Sequence, residues 1–263
     1  MQISGSTVLL TGATGGIGQA IARALKQRDA ELILTGRRTD VLEPLAAELG
    51  ARTLAVDLSV AAEVDRLLQE AGDVDILVAN AALPGAGKLD SFSLEEIDRA
   101  LDVNLRAPIA LAHALIPGMV KRGGGHLLFM SSLSGKTATP GTSMYNATKY
   151  GLRGFAAALR PELRDSGVGV STVFPGFIRD AGMFADSGAK LPTGVGTRSP
   201  EDVANAVVSA IERNRGEVDV APVALRVGAM FGGFAPEAAA AFTRRAGGHK
   251  IASDIAAGQG SKR

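Results

Sequence analysis

A chain of 263 residues, 46% of them hydrophobic, is long enough to bury the core of one α/β domain and short for two. A formal net charge of +1 without a basic block argues against a phosphate-tracking nucleic-acid binder, and the lack of cysteine excludes disulfides and thiol-ligated metals. No basic stretch leads into an apolar one at the N-terminus, and no run reaches the roughly 18 apolar residues of a spanning helix, so a cytoplasmic protein without a membrane span is expected.

The apolar run Thr7-Val8-Leu9-Leu10 predicts a strand over residues 7–11, and a helix is expected over 17–27. Between them lies a turn holding Gly12, Thr14, Gly15, Gly16, Ile17 and Gly18. A backbone that must approach a pyrophosphate needs positions without a Cβ. The helix that follows then aims free N–H groups and the positive end of its dipole at the phosphates. The spacing is G-x-x-x-G-x-G, not the G-x-G-x-x-G of the usual dinucleotide fingerprint. Alone, it also fits an ordinary glycine-rich connection.

A second strand over 31–35 runs into Gly36-Arg37-Arg38 and a helix over 41–49. NAD-binding turns usually carry an acid here for the ribose hydroxyls. This chain has two guanidiniums instead, which suit a 2′-phosphate, so NADP(H) is expected over NAD(H). A third strand over 52–56 precedes Asp57-Leu58 and a helix over 61–70; by itself Asp57 also reads as a helix-capping acid. The fourth strand, 75–79, is a near-continuous apolar run followed by Asn80-Ala81-Ala82.

A long helical stretch over 94–121 carries Asn104, and Pro108 predicts an irregularity in it. The fifth strand, 126–131, ends at Ser131-Ser132. The next helix, 143–165, holds Tyr145 and Lys149 one turn apart on one face. A free tyrosine titrates near 10, and a nearby ammonium should lower that value toward useful acid–base chemistry.

The sixth strand, 168–174, leads to Pro175-Gly176-Phe177-Ile178. Residues 177–198, rich in Gly and Pro, read as a substrate loop or lid. A helix over 200–214 and a strand over 217–220 follow. Ser134, Met144, Met183, Phe184 and Leu191 are candidates to line a pocket beside Tyr145, which points to a hydrophobic ketone, aldehyde or secondary alcohol.

Residues 221–242 are unusually apolar (Val223, Leu225, Val227, Met230, Phe231, Phe234) until Pro236 interrupts them. They read as core or oligomer interface, with a substrate lid or a membrane-surface contact as the alternatives. The domain is expected to span 1–246, including a C-terminal segment over 221–246, and the small polar tail 247–263 is expected to fray. His113, His126 and His249 have no ligand-like spacing, so no metal is expected.

The alternation predicts an α/β Rossmann fold in a single domain: a doubly wound, mainly parallel seven-stranded sheet with helices on both faces. In order and spacing, the glycine turn, Asn80-Ala81-Ala82, Ser132, Tyr145-x-x-x-Lys149 and Pro175-Gly176 resemble the classical short-chain dehydrogenase/reductase (SDR) family. The resemblance covers roughly residues 7–220. It implies an oxidoreductase that exchanges a hydride between a nicotinamide and a carbonyl or secondary alcohol.

Tyr145 would be its general acid/base, Lys149 would hold the nicotinamide ribose, and Ser132, thirteen residues before the tyrosine, would polarise the carbonyl. Asn104 would be the fourth member, holding a water that links Lys149 to solvent. The resemblance also assigns Asp57 and Leu58 to adenine, Asn80, Ala81 and Ala82 to support of the central sheet beside the cofactor, and Pro175, Gly176, Phe177 and Ile178 to the nicotinamide. It implies a homodimer or homotetramer.

The chain departs from the family at Ala79 and Ala82, where the usual segment reads Asn-Asn-Ala-Gly, and at Asp180, where a threonine is usual. A non-catalytic dinucleotide-binding regulator is the rival reading, and the intact Ser132, Tyr145, Lys149 and Asn104 set argues against it. A sugar-nucleotide epimerase is disfavoured by the glycine spacing and the chain length. Fold and site chemistry leave the substrate open.

Overall fold

Strands buried at every position demand cover on both faces, and helices supply it here. The computed structural model describes residues 1–189, 191, 195–235, 237–238 and 258. In chain order the elements are β1 (Thr7–Leu10), α1 (Gly16–Lys26), β2 (Glu31–Gly36), α2 (Thr39–Leu49), β3 (Arg52–Ala55), α3 (Ala61–Ala71) and β4 (Ile76–Ala79). Then come α4 (Leu94–Leu101), α5 (Ala107–Lys121), β5 (Gly125–Met130), α6 (Ser143–Glu162), β6 (Val168–Pro175), α7 (Gly182–Ser187), α8 (Pro200–Glu212), β7 (Glu217–Val220) and α9 (Val223–Phe234).

The seven strands form one sheet in the order β3-β2-β1-β4-β5-β6-β7, and every pairing is parallel. The strand order reverses at β1, which pairs with both β2 and β4. Ligands of open parallel sheets bind at such a switch point, beyond the carboxyl ends of the strands.

Side-chain alternation divides the core. Val8, Leu10, Ile76 and Val78 point into one layer with Ile21 and Leu25 of α1, Leu42 of α2, and Val203 and Val207 of α8. Leu9, Leu77, Leu127 and Phe129 point into the other with Leu67 of α3, Leu111 and Leu115 of α5, and Leu152 of α6. His126 is fully buried in β5, within hydrogen-bond distance of the Ser171 hydroxyl at 2.9 Å, as a core histidine.

Three expectations need correction, and one is met: the helical stretch 94–121 contains the irregularity expected of it, a π-helical turn over Asp102–Arg106 with Asn104 inside. The backbone stays helical on both sides of that turn, and Pro108, just after it, has no N–H to return to the preceding turn. The whole stretch Leu94–Lys121 is long and apolar enough to cross a bilayer by length and composition, yet Leu111, Leu115 and Met119 are core residues of the sheet's second layer.

Helix α6 ends at Glu162, short of 165. The described residues of 177–198 form more than a plain loop. Ile178 and Arg198 form a parallel bridge, Arg179 N–H donates to Arg198 O at 2.9 Å, Arg198 N–H donates to Phe177 O at 3.0 Å, and α7 lies between. Six helical residues are too few to show a period in sequence.

The apolar segment after β7 is not core. It folds as α9, and its large side chains face out. The expectations for residues 236 and 239–242, and for the tail 247–263 apart from Gly258, lie outside the described residues. Gly258 itself sits against α7, where a Cβ would come within 2.5 Å of Ser187 O.

Candidate active site

The glycine turn leaves the end of β1 and enters α1. Gly12 has φ +69°, and a Cβ there would meet Ala81 Cα at 2.7 Å. A Cβ on Gly18 would collide with Gly12 O and lie 2.9 Å from Ala13 Cα, so backbone crosses backbone too closely for any side chain. At Gly15 the nearest such atom is 3.7 Å away, and its backbone is extended.

Helix α1 starts without a side-chain cap and without an acid in its first turn. Helices α4 and α8, by contrast, carry capping boxes at Ser93/Glu96 and Ser199/Asp202. Its N-terminal N–H groups thus stand where an anion is favoured. Ile17 packs its side chain toward Gly182, at the start of α7.

Asn80 fastens this turn to β4. Its side-chain amide donates to Thr11 O at 3.1 Å and Gly12 O at 3.2 Å. The N–H groups of Asn80 and Ala81 both donate to the Thr11 hydroxyl at 3.1 Å. Thr11 is a member of the site that sequence reasoning named only as a neighbour of the glycines.

At the end of β2, Gly36 has the Thr14 side chain against it; a Cβ there would meet Thr14 Cγ2 at 2.6 Å. Arg38 donates to Thr14 O at 2.5 Å, while Arg37 lies 3.8 Å from the Asp57 carboxylate. Arg99, not singled out in sequence, approaches the same carboxylate at 3.6 Å. Burial raises the Asp57 carboxyl, but hydrogen bonds from Ser59 and the two arginines outweigh it and hold the group below the usual carboxylate range. The negative charge here is therefore matched by cations, and Arg37 and Arg38 remain exposed beside the turn.

Ser132, Tyr145 and Lys149 come together from the end of β5 and the first turns of α6. The Ser132 hydroxyl accepts from Ser134 N–H at 3.2 Å and donates to Pro175 O at 3.4 Å, and it stands close enough to Tyr145 to act on its hydroxyl. Ser131 points elsewhere: its hydroxyl is buried and donates to Lys149 O at 3.0 Å. Burial pushes the Tyr145 hydroxyl up to about 12, against a downward pull from the Ser132 hydrogen bond. Burial also pulls the Lys149 ammonium down to about 8.

The expectation that Lys149 lowers Tyr145 is not met. The ammonium lies 5.6 Å from the ring centroid and donates to Met130 O at 2.9 Å, so desolvation dominates.

Asn104 is buried and bonded on both sides. Its Oδ1 accepts from Leu83 N–H at 2.6 Å, and its Nδ2 donates to Leu83 O at 2.9 Å and Thr148 Oγ1 at 3.4 Å. The widened turn of the π segment faces this loop, and Thr148 in turn donates to Tyr145 O at 2.9 Å. Neither Thr148 nor Leu83 had a signal in sequence, because both act through backbone or a neighbour.

Asn146 is a further missed residue. Its Nδ2 donates to Ser134 O at 2.6 Å and Thr137 O at 3.0 Å, and so shapes the segment between Ser132 and α6.

Pro175 and Gly176 close the far side, with Ala221 Cβ only 3.0 Å from where a Gly176 Cβ would stand. The rings of Phe177 and Phe184 meet at 5.0 Å between centroids, tilted by 56°, and Met183, Phe184 and Leu191 are half-buried. Met144 is buried and Ser134 half-buried. Ile178 is buried in the first core layer, and Leu58 in the second. Asp180 is paired with Arg179 at 3.3 Å and mostly exposed, with φ +67°, so its carboxylate is turned to solvent.

Residues 6–192 match the family described as short chain dehydrogenase. The chain is 36% identical over 227 residues to the ketoacyl reductase HetN of Nostoc sp., covering 83% of this chain and 79% of that protein. Among solved structures, a short-chain dehydrogenase from Sphingobium yanoikuyae in complex with NADPH superposes with a TM-score of 0.76 at 29% identity, covering 86% of this chain and 92% of that one. A 3-ketoacyl-(acyl-carrier-protein) reductase from Brucella melitensis complexed with NADH gives 0.75 at 26% identity, covering 83% and 98%.

Proposed function

The chain belongs to the short-chain dehydrogenase/reductase family of oxidoreductases acting on CH–OH groups, and from that membership we propose that it is an NADP(H)-dependent reductase of hydrophobic ketones or aldehydes. The observation that carries this reading is Ser132 set beside Tyr145, one turn from a buried Lys149, next to a turn in which Gly12, Gly16 and Gly18 leave no room for a side chain.

Bound in that cradle, the nicotinamide supplies the hydride in reduction or takes it in oxidation. Gly12, Gly16 and Gly18 keep the backbone close, and the uncapped start of α1, with Thr14, Gly15 and Ile17, would hold the phosphates. Asp57 and Leu58 would flank the adenine, Asn80, Ala81 and Ala82 the central ribose and phosphate region, and Pro175 through Ile178 the nicotinamide.

Tyr145 donates its hydroxyl proton to the carbonyl oxygen. A hydroxyl held near 12 stays protonated throughout the neutral range and so has the proton to give. Ser132 hydrogen-bonds the same oxygen and supports its developing charge. Lys149 would hold the ribose hydroxyls with its ammonium, and Asn104 fixes the turn beside it. Ser134, Met144, Met183, Phe184 and Leu191 give the substrate an apolar wall; the ketoacyl substrates named for two relatives fit such a wall.

Two measurements test the reading. Consumption of NADPH and NADH is followed against a panel of hydrophobic ketones and aldehydes. In the double variant Arg37→Ala/Arg38→Ala, the Km for NADPH should rise about 10–100-fold, as expected from losing charge-assisted bonds of roughly 1.5–3 kcal/mol, while the NADH value holds. An equal change for both cofactors would mean that the arginines act only by supporting Thr14 and Asp57.

The pH profile of the reduction gives the second. Lys149 is charged below its value of about 8 and neutral above it, so kcat/Km should be level at neutral pH and fall as pH rises through about 8. A profile that breaks only near 10 would show that the lysine is not held as a buried ammonium.

A further inference from the structure

We propose that the outer face of α9 is a docking surface for an anionic phospholipid bilayer, placed beside the mouth of the site. At 3.6 residues per turn, Val223, Val227, Met230, Phe231 and Phe234 fall within roughly 100° of arc, and all five are exposed, Phe234 at 85% and Val223 at 67%. The opposite side of the helix carries its buried residues, Ala229 and Gly232. The helix thus holds its polar-poor face outward, the reverse of what a surface helix does when water is its only neighbour.

From Pro222 to Ala235 the sequence has no acid, and its one cation, Arg226, lies near Asp219 at 3.9 Å. The sequence that follows, 236–263, has Arg244, Arg245, Lys250, Lys262 and Arg263 against Glu237 and Asp254. An apolar stripe followed by an excess of basic residues is complementary to a negatively charged bilayer surface.

Size argues the same way. Twelve helical residues span about 18 Å, too short to cross about 30 Å of hydrocarbon but enough to lie in the interface. Five side chains offer on the order of a few hundred Å², an area a bilayer interface can take up without a partner surface shaped to it.

The place of α9 gives docking a purpose. The helix starts beside Gly176, where Ala221 packs, and Gly233 near its end lies against Lys136 O, just past the turn that Ser132 caps. A bilayer on this face would lie along the rim of the pocket, from which an apolar substrate dissolved in lipid could enter.

The test is cosedimentation of the full-length protein with vesicles of phosphatidylcholine containing phosphatidylglycerol, and with vesicles of phosphatidylcholine alone. It reads binding without turnover, so it does not stand or fall with the proposed reaction. The wild-type chain should sediment with the anionic vesicles, and Phe231→Ser/Phe234→Ser should weaken that association by roughly tenfold or more. NADPH binding and the melting curve check that the variant is folded.

The proposal is overturned if the wild-type chain stays in solution with anionic vesicles, or if the double variant sediments as well as the parent. It is equally overturned if vesicles are ignored and the variant instead turns a dimer into a monomer in sedimentation velocity, which would assign the stripe to a second copy.

Discussion

Tyr145→Phe should reduce turnover of any carbonyl substrate by about 10²–10⁴-fold, the range that a positioned proton donor supplies. The substitution keeps the ring and removes one hydroxyl. That hydroxyl has only Ser132 beside it, so the fold loses on the order of 1 kcal/mol at most, and the melting temperature should move by only a few degrees. NADPH binding, read by fluorescence, should persist. Ser132→Ala removes the partner bond at the same oxygen and should cost about 10²–10³-fold, the usual effect of one lost donor at a developing alkoxide. The two effects should be less than additive, because both residues serve a single atom. Retention of more than a tenth of the parent rate by Tyr145→Phe would sink the acid–base role. Loss of NADPH binding together with turnover would instead make Tyr145 a residue that positions the cofactor.

Much of this architecture was legible because it rests on local chemistry. The central strands β4, β5 and β6 are short, mainly apolar runs bounded by turn residues, and burial at every position leaves them little freedom of composition, while the edge strands β3 and β7 keep exposed residues. Their ends shift by only a residue or so, as at β5, where Ser131 falls just outside. Tyr145 and Lys149 were placed together by the helical period alone.

What sequence hid depends on distant partners. The π turn at Asn104 is held by the Leu83 backbone, which no periodicity reveals. Arg99 reaches Asp57 across two elements, and the Lys149 ammonium turns to the Met130 carbonyl. Burial, not the neighbouring lysine, governs the Tyr145 hydroxyl, and burial is a property of the folded chain. The stripe of α9 was left open between core, interface, lid and membrane contact for the opposite reason: composition says that side chains are apolar, not which way they face.

Gly18→Ala should damage the fold and the cofactor site together, whereas Gly15→Ala should damage neither. The two glycines stand three residues apart in one turn, yet their surroundings differ. A methyl at Gly18 has backbone on two sides, Gly12 O and Ala13 Cα, and neither can swing away as a side chain would. The turn must open, at a cost on the order of 2–3 kcal/mol. Because Gly12 is already held against Ala81 and latched by Asn80, opening also pulls the start of α1 away from the end of β4.

At Gly15 the backbone is extended, with φ −80°, and the nearest atom is 3.7 Å off, so alanine enters without strain and changes stability by about 0.5 kcal/mol or less. Thermal denaturation with and without NADPH separates the cases, since a ligand raises the melting temperature only of a protein that binds it. Gly15→Ala should melt near the parent and keep the NADPH shift. Gly18→Ala should melt several degrees lower and show little shift at any attainable concentration. If Gly18→Ala kept both, the close approach of Gly12 and Gly18 would not be what holds this turn in its cofactor-binding shape.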